Sequence, residues 1–259
     1  MELGLTGRVA VVTGASKGIG LAVVEALAAE GVRVVAGARH SSPELDKLAE
    51  TGSVQVVTVD LSEPAGPATL VEAAGDRIDI LVNNVGAAIP RVDGFLNVTD
   101  EQWTTSLTIN LLAAVRATRA ALPLMLAAGR GAIVTVSSVN AYLPDPAAID
   151  YCAAKAALSS FCKSLSKEVG DKGIRVNTVS PGPVATDLWL GDSGVAATLS
   201  AANGAAVEDI VNQTAGESVT GRFTRPGEVA DLVVLLASDR SANMTGSNIT
   251  IDGGLMQAL

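Results

Sequence analysis

Short apolar runs rich in Val and Ile alternate with helix-like segments along almost the whole chain, and this rhythm constrains the fold more than any single motif. Strands are expected at 9–13, 32–36, 54–59, 78–82, 131–137, 174–179 and 248–252. Helices are expected at 19–30, 43–50, 69–74, 100–128, 151–170 and 228–236, the longest bent near Pro123. Strand–helix–strand connections cross over right-handedly and lay their strands parallel. The expected class is α/β: a Rossmann-type, doubly wound parallel sheet of about seven strands with helices on both faces. The break in the rhythm is 183–225, long, rich in small residues and set between a strand and a helix. Insertions of that length are commonly lids or binding loops.

A chain that is 48% hydrophobic but only 3% aromatic suits strands buried on both faces and packed by small side chains. Its 259 residues can bury a full core without disulfides or metal, and with no repeat or linker one domain over 1–259 is expected. A net charge of −9 weighs against nucleic acid or an anionic membrane as partner, but not against a phosphate-bearing small molecule. Cys152 and Cys162, on one expected helix, are separated by roughly 15 Å of rise, too far for a disulfide. Reduced thiols and a cytoplasmic location are the expectation. No metal site is expected from two separated cysteines and one histidine, His40, which reads as a surface loop residue. No signal segment is apparent, and 111–128 is interrupted by Arg116, Arg119 and Pro123, so no membrane span is expected.

Thr13-Gly14-Ala15-Ser16-Lys17-Gly18-Ile19-Gly20 lies between the first strand and the first helix. Glycines there permit a tight turn and close approach of a pyrophosphate to the helix N-terminus, which points to a dinucleotide. An acidic residue at the end of the second strand would bind the ribose hydroxyls of NAD; Ala38 stands there instead, followed by Arg39. Arg39, aided by Lys17, can pair with a 2′-phosphate, which favours NADP(H) over NAD(H); the alternative for both is a solvated surface charge. Asp60 follows the third strand and Asn83-Asn84-Val85-Gly86 the fourth, at strand ends that line the ligand crevice of such sheets. Asp60 can accept from an adenine amino group, or simply form a turn.

Tyr151 and Lys155 are four apart and share one face of a helix. A nearby ammonium favours phenolate, and a phenol so tuned can exchange a proton with an alkoxide or alcohol. Ser138 follows the fifth strand, where its hydroxyl can polarise a carbonyl and hold it against Tyr151. Asn110, on the long helix, can hold a water through its backbone and connect Lys155 to solvent.

In this combination and order, the sequence resembles the short-chain dehydrogenase/reductase family over nearly its whole length. The resemblance is carried by the Thr13 to Gly20 loop, Asp60-Leu61, Asn83 to Gly86, Ile109-Asn110, Ser137-Ser138, Tyr151 to Lys155, and Pro181-Gly182 with Thr186. It implies a catalytic set of Asn110, Ser138, Tyr151 and Lys155. Tyr151 would be the acid or base and Ser138 the orienting group. Lys155 would lower the Tyr151 pKa and bind the nicotinamide ribose. Ile19 would pack near the nicotinamide, and Val184 and Thr186 would contact its carboxamide. Val85 departs from the family's usual Ala beside the cofactor, a change expected to be tolerated. The implied activity is hydride transfer between a nicotinamide dinucleotide and a carbonyl or secondary alcohol. The implied assembly is a homo-oligomer, tetramer or dimer, touching through the Tyr151 helix and the C-terminal stretch to Leu259.

For substrate, Val139, Ala141, Tyr142 and Leu143 after Ser138, with Leu188, Trp189 and Leu190 in the presumed lid, suggest an apolar ketone. Trp189 can equally pack the lid onto the domain. The alternatives are a 3-oxoacyl thioester reductase, an NAD-dependent alcohol dehydrogenase and a non-catalytic dinucleotide sensor. An enoyl reductase on the same fold is disfavoured, because the resemblance puts Tyr and Lys further apart in such relatives.

Overall fold

The computed structural model describes residues 2–257. Its first half runs β1 (Val9–Thr13), α1 (Gly18–Ala29), β2 (Arg33–Ala38), α2 (Pro43–Ala49), β3 (Val54–Thr58), α3 (Gly66–Glu72), β4 (Ile80–Asn83), α4 (Asp100–Leu107) and α5 (Ala113–Ala128). The second half runs β5 (Gly131–Val136), α6 (Ile149–Val169), β6 (Ile174–Pro181), α7 (Asp187–Leu190), α8 (Val195–Asn203), α9 (Val207–Glu217), α10 (Pro226–Ala237) and β7 (Asn248–Ile251).

The seven strands form one sheet in the order β3-β2-β1-β4-β5-β6-β7, every pair parallel. Side chains alternate across the pleat. Val12, Val34, Ile80 and Val134 therefore pack with Val24 and Leu27 of α1 and Val233 of α10. Val11, Val35, Leu81 and Ile133 pack on the other face with Leu70 of α3, Ala117 of α5 and Leu158 of α6. Successive strands are added outward on opposite sides of β1, so the chain reverses direction of growth between β1 and β4. That reversal opens a crevice beyond the carboxyl ends of the central strands.

Three expectations are revised. The helix over 100–128 departs from α geometry at Thr108–Leu112, a π-helical turn between α4 and α5, whereas Pro123 lies inside α5. By length and composition alone 100–128 is long and apolar enough to cross a membrane, which the reading of 111–128 did not anticipate. Its Ala113, Ala117, Ala121 and Met125 face is nevertheless buried in the core, and Arg116 donates to the Ser62 carbonyl at 3.2 Å. Lastly, 183–225 holds three helices, α7 to α9, and its two roots are tied together. Ala185 N donates to Thr224 O and Thr224 N to Pro183 O, both at 2.9 Å. Residues 258 and 259 of the C-terminal stretch lie outside the described residues.

Candidate active site

The glycine loop is locked to the end of β4 by side chains on both strands. Thr13 Oγ1 accepts from Asn84 N at 2.9 Å and Val85 N at 3.1 Å. Asn84 Nδ2 donates to the carbonyls of Thr13 and Gly14, each at 3.0 Å. The loop is too tight for side chains. A Cβ on Gly20 would lie 2.0 Å from Gly14 O, and one on Gly14 would lie 2.9 Å from Val85 Cα with φ at +69°. The N-terminus of α1 carries no side-chain cap and no acidic residue in its first turn. Open amide donors, a positive helix end and bare backbone fit a pyrophosphate, so the residues present suit a dinucleotide.

Around this cradle, Ser16 and Ile19 are half-buried and Lys17 is exposed, its Nζ 3.4 Å from Asp187 Oδ2 at the start of α7. A Cβ on Gly18 would meet Thr186 Cγ2 at 3.1 Å, so the root of the 183–225 segment touches the loop. Pro181 ends β6, and Gly182 N donates to Ile251 O at 2.9 Å. Val184 is buried, bridged to Thr224. Arg39 is exposed just past β2, while Ala38 is buried at its end. Asp60 Oδ1 accepts from Ser62 N at 2.9 Å and Ser62 Oγ at 2.6 Å. Those bonds, with a smaller contribution from Arg39, hold its pKa below the usual carboxylate value. Leu61 is buried in the core.

Asn83 requires a correction. Its amide is buried and donates to Thr118 Oγ1 at 3.1 Å and Thr135 Oγ1 at 3.5 Å, so the side chain enters the core between α5 and β5 rather than the crevice. Alternation along β4 puts it on the Leu81 face. Asn84, the next residue, is the one that reaches the glycine loop.

At the chemical end, β5 and α6 bring Ser138, Tyr151 and Lys155 together, and the π-helical turn adds Asn110. Lys155 is buried, its Nζ 2.9 Å from Val136 O and 5.7 Å from the centroid of the Tyr151 ring. Asn110 Oδ1 accepts from Ala87 N at 3.0 Å, and its Nδ2 donates to Ala87 O at 2.9 Å and Ser106 O at 3.1 Å. Gly86 lies between the two: a Cβ there would sit 2.8 Å from Asn110 Oδ1 and 3.5 Å from Lys155 Nζ. Ser138 Oγ accepts from Asn140 N at 3.1 Å.

Desolvation pushes the Tyr151 phenol up to about 12, and the nearby Ser138 hydroxyl offsets this only in part. Burial also brings the Lys155 ammonium down to about 8. The expected depression of the Tyr151 pKa by Lys155 is not seen in this structure, where desolvation is the largest influence. A phenol in that state is protonated across the neutral range.

Trp189 is half-buried and meets Phe223 edge-to-face, with ring centroids 5.6 Å apart. It joins the two ends of the 183–225 segment, which is the packing alternative. Its neighbours Leu188 and Leu190 are exposed, as are Tyr142 and Leu143 after Ser138.

Comparison with known proteins agrees with this fold. Residues 14–256 match a family model described as enoyl-(acyl carrier protein) reductase. The chain is 33% identical to a 3-oxoacyl-[acyl-carrier-protein] reductase of Vibrio cholerae, over 98% of this chain and 99% of that one. It is 37% identical to L-xylulose reductase of Bos taurus, over 99% of each. A crystal structure of L-sorbose reductase from Gluconobacter frateurii, complexed with NADPH and L-sorbose, superposes with a TM-score of 0.90 at 35% identity, covering 100% of both chains. The chain belongs to the short-chain dehydrogenase/reductase family, as an NAD(P)-dependent oxidoreductase acting on CH–OH and C=O groups.

Proposed function

We propose that the protein reduces a ketone to a secondary alcohol with NADPH, and that Tyr151 supplies the proton. The observation that carries this reading is the convergence of Ser138, Tyr151 and Lys155, with Ser138 and Lys155 buried, Tyr151 half-buried and the Lys155 Nζ 5.7 Å from the centroid of the Tyr151 ring. The bound nicotinamide supplies the hydride when present. Ser138 Oγ donates to the carbonyl oxygen and holds it against Tyr151. The Tyr151 hydroxyl gives its proton to that oxygen as it becomes an alkoxide. Lys155 places a positive charge behind the phenol, and Asn110 anchors the Gly86-Ala87 turn beside it. The Tyr–Lys spacing supports carbonyl rather than enoyl chemistry.

NADP(H) over NAD(H) is supported by buried Ala38 where an acid would repel a 2′-phosphate, and by the exposed Arg39 and Lys17 that can pair with it. Ile19, Val184 and Thr186 border the nicotinamide end in this reading, and Asp60 the adenine end. The exposed Tyr142, Leu143, Leu188 and Leu190 support an apolar ketone. A polyhydroxy ketone is the second reading, favoured by the two relatives named for L-xylulose and L-sorbose. Leu96, 93% exposed, and its exposed neighbour Phe95 support assembly as a homo-oligomer. The two buried free thiols are consistent with the cytoplasm.

The test is a titration of the purified protein with NADPH and NADH, followed by apolar ketones, ketoses and a 3-oxoacyl thioester read at the nicotinamide absorbance. NADPH binding with turnover of a ketone is expected, and Arg39→Asp should weaken NADPH far more than NADH. Binding of neither cofactor refutes the reading, and equal effects of Arg39→Asp on both return Arg39 to a surface charge.

A further inference from the structure

Arg91 and Asp150 form an ion pair that the chemistry above does not use. Their side chains are 10% and 2% exposed, and Arg91 reaches Asp150 Oδ2 through Nη2 at 2.5 Å and Nε at 3.1 Å. Both nitrogens converge on one oxygen, and the buried Asp150 Oδ1 has no hydrogen-bond partner among the described residues. A pair in this form is a poor stabiliser: both charges are desolvated, and one carboxylate oxygen is left unsatisfied. Its distinctive property is its location. Asp150 immediately precedes Tyr151 in the first turn of α6, a helix whose N-cap, Ala148, has no side-chain cap bond. Arg91 also donates its backbone N–H to Ala147 O at 2.7 Å, one residue before that cap.

The segment bearing Arg91 begins at the site itself. Ala87 is clamped through both its N–H and its carbonyl by Asn110, and Gly86 faces Asn110 and Lys155. Residues 86–91 are therefore fixed at one end to the Asn110–Lys155 side of the cluster and at the other to the turn that carries Tyr151.

We propose that Arg91 and Asp150 are positioning residues: their ion pair holds the 86–91 segment to the start of α6 and so fixes where Tyr151 presents its phenol. This rests on the reading of Tyr151 as the proton donor. The pair is charge-balanced, so it sets the position without placing a net charge beside Tyr151. A displacement on the order of 1 Å at a reacting group costs up to roughly a hundredfold in rate.

The test uses the full chain. Arg91→Met alone leaves a buried carboxylate unpaired and is prone to fail in folding. The double variant Arg91→Met/Asp150→Asn removes both charges, and Arg91→Lys keeps one charge-assisted bond. Each is measured for thermal midpoint, NADPH Kd, kcat and KM for a ketone the wild type reduces, and backbone amide exchange. The double variant is expected to keep its NADPH Kd within about twofold and lose at least about tenfold in kcat, with a smaller change in KM. Amide exchange should rise at 86–91 and in the first turn of α6 while the sheet stays protected. Arg91→Lys should recover most of the lost kcat. Wild-type kcat or wild-type exchange in the double variant overturns the proposal, as does a loss of kcat that only follows a loss of folded protein. If the wild type reduces no ketone, the proton-donor reading falls by itself, because the exchange measurement needs no turnover.

Discussion

Replacing Gly20 with Ala puts a methyl group into the tightest contact of the cofactor cradle. Its carbon would lie 2.0 Å from Gly14 O and 2.5 Å from Asn84 Nδ2. Neither neighbour can yield alone. Gly14 O is backbone at the end of β1, and Asn84 Nδ2 is bonded to both Thr13 O and Gly14 O. To reach ordinary contact, the start of α1 must retreat by about 1.5 Å from the 2.0 Å approach, since carbon packs at about 3.5 Å. Overpacking of this kind costs about 1–3 kcal/mol. Losing the two Asn84 bonds adds about 1 kcal/mol each. The total of about 3–5 kcal/mol falls on the arrangement that receives the pyrophosphate, and at about 1.4 kcal/mol per decade it weakens NADPH by roughly a hundredfold to several thousandfold. The assay is NADPH fluorescence titration beside a thermal melt. Gly216→Ala is the control: Gly216 lies in α9 with nothing within 4 Å of an added Cβ, and Ala there should be neutral or stabilise the helix by up to about 1 kcal/mol. A Gly20→Ala protein with wild-type melting and wild-type affinity would show that the loop yields freely, and the reasoning from backbone contact would be wrong.

Tyr151→Phe should abolish turnover and leave NADPH affinity within about twofold, because the phenyl ring stays and only the proton is lost; retained turnover removes Tyr151 as the acid. The pH profile of ketone reduction should be level through neutrality and fall as pH rises through about 8, where Lys155 gives up its proton, while Tyr151 stays a phenol up to about 12. A profile level to about pH 10, near the ordinary lysine value, would contradict that protonation scheme. Trp189→Ala and Phe223→Ala each remove the same edge-to-face contact, worth about 0.5–1.5 kcal/mol beyond burial. They should raise KM alike, with the double variant no worse than either single one. Additive effects would mean that Trp189 touches substrate directly.

The sheet and the meeting of Ser138, Tyr151 and Lys155 were legible because both depend on local pattern. Each strand is a short β-branched run, and the parallel order follows from crossover handedness once those runs are found. Tyr151 and Lys155 meet because helical spacing puts them on one face, and Ser138 joins them because β5 ends beside α6. The part that stayed hidden depends on which face a residue takes at the edge of an element. Asn83 and Asn84 look interchangeable in sequence, yet the pleat sends one into the α5 side of the core and the other to the glycine loop. Counting alternation from Leu81 would have separated them, but only with α5 already assigned to that face. The π-helical turn was invisible for a related reason: Asn110 reads as a polar residue on a regular helix, and Pro123 as the expected break. The turn forms where Asn110 bonds Ala87, a partner on the loop after β4. Arg91 and Asp150 carried no local signal, being separated by a long helical stretch and one strand. Protonation was the hardest property to anticipate, since the Tyr–Lys spacing speaks for a depressed phenol while burial acts on both groups in the opposite sense. Desolvation, which no spacing encodes, decides that balance and pushes the Tyr151 phenol up.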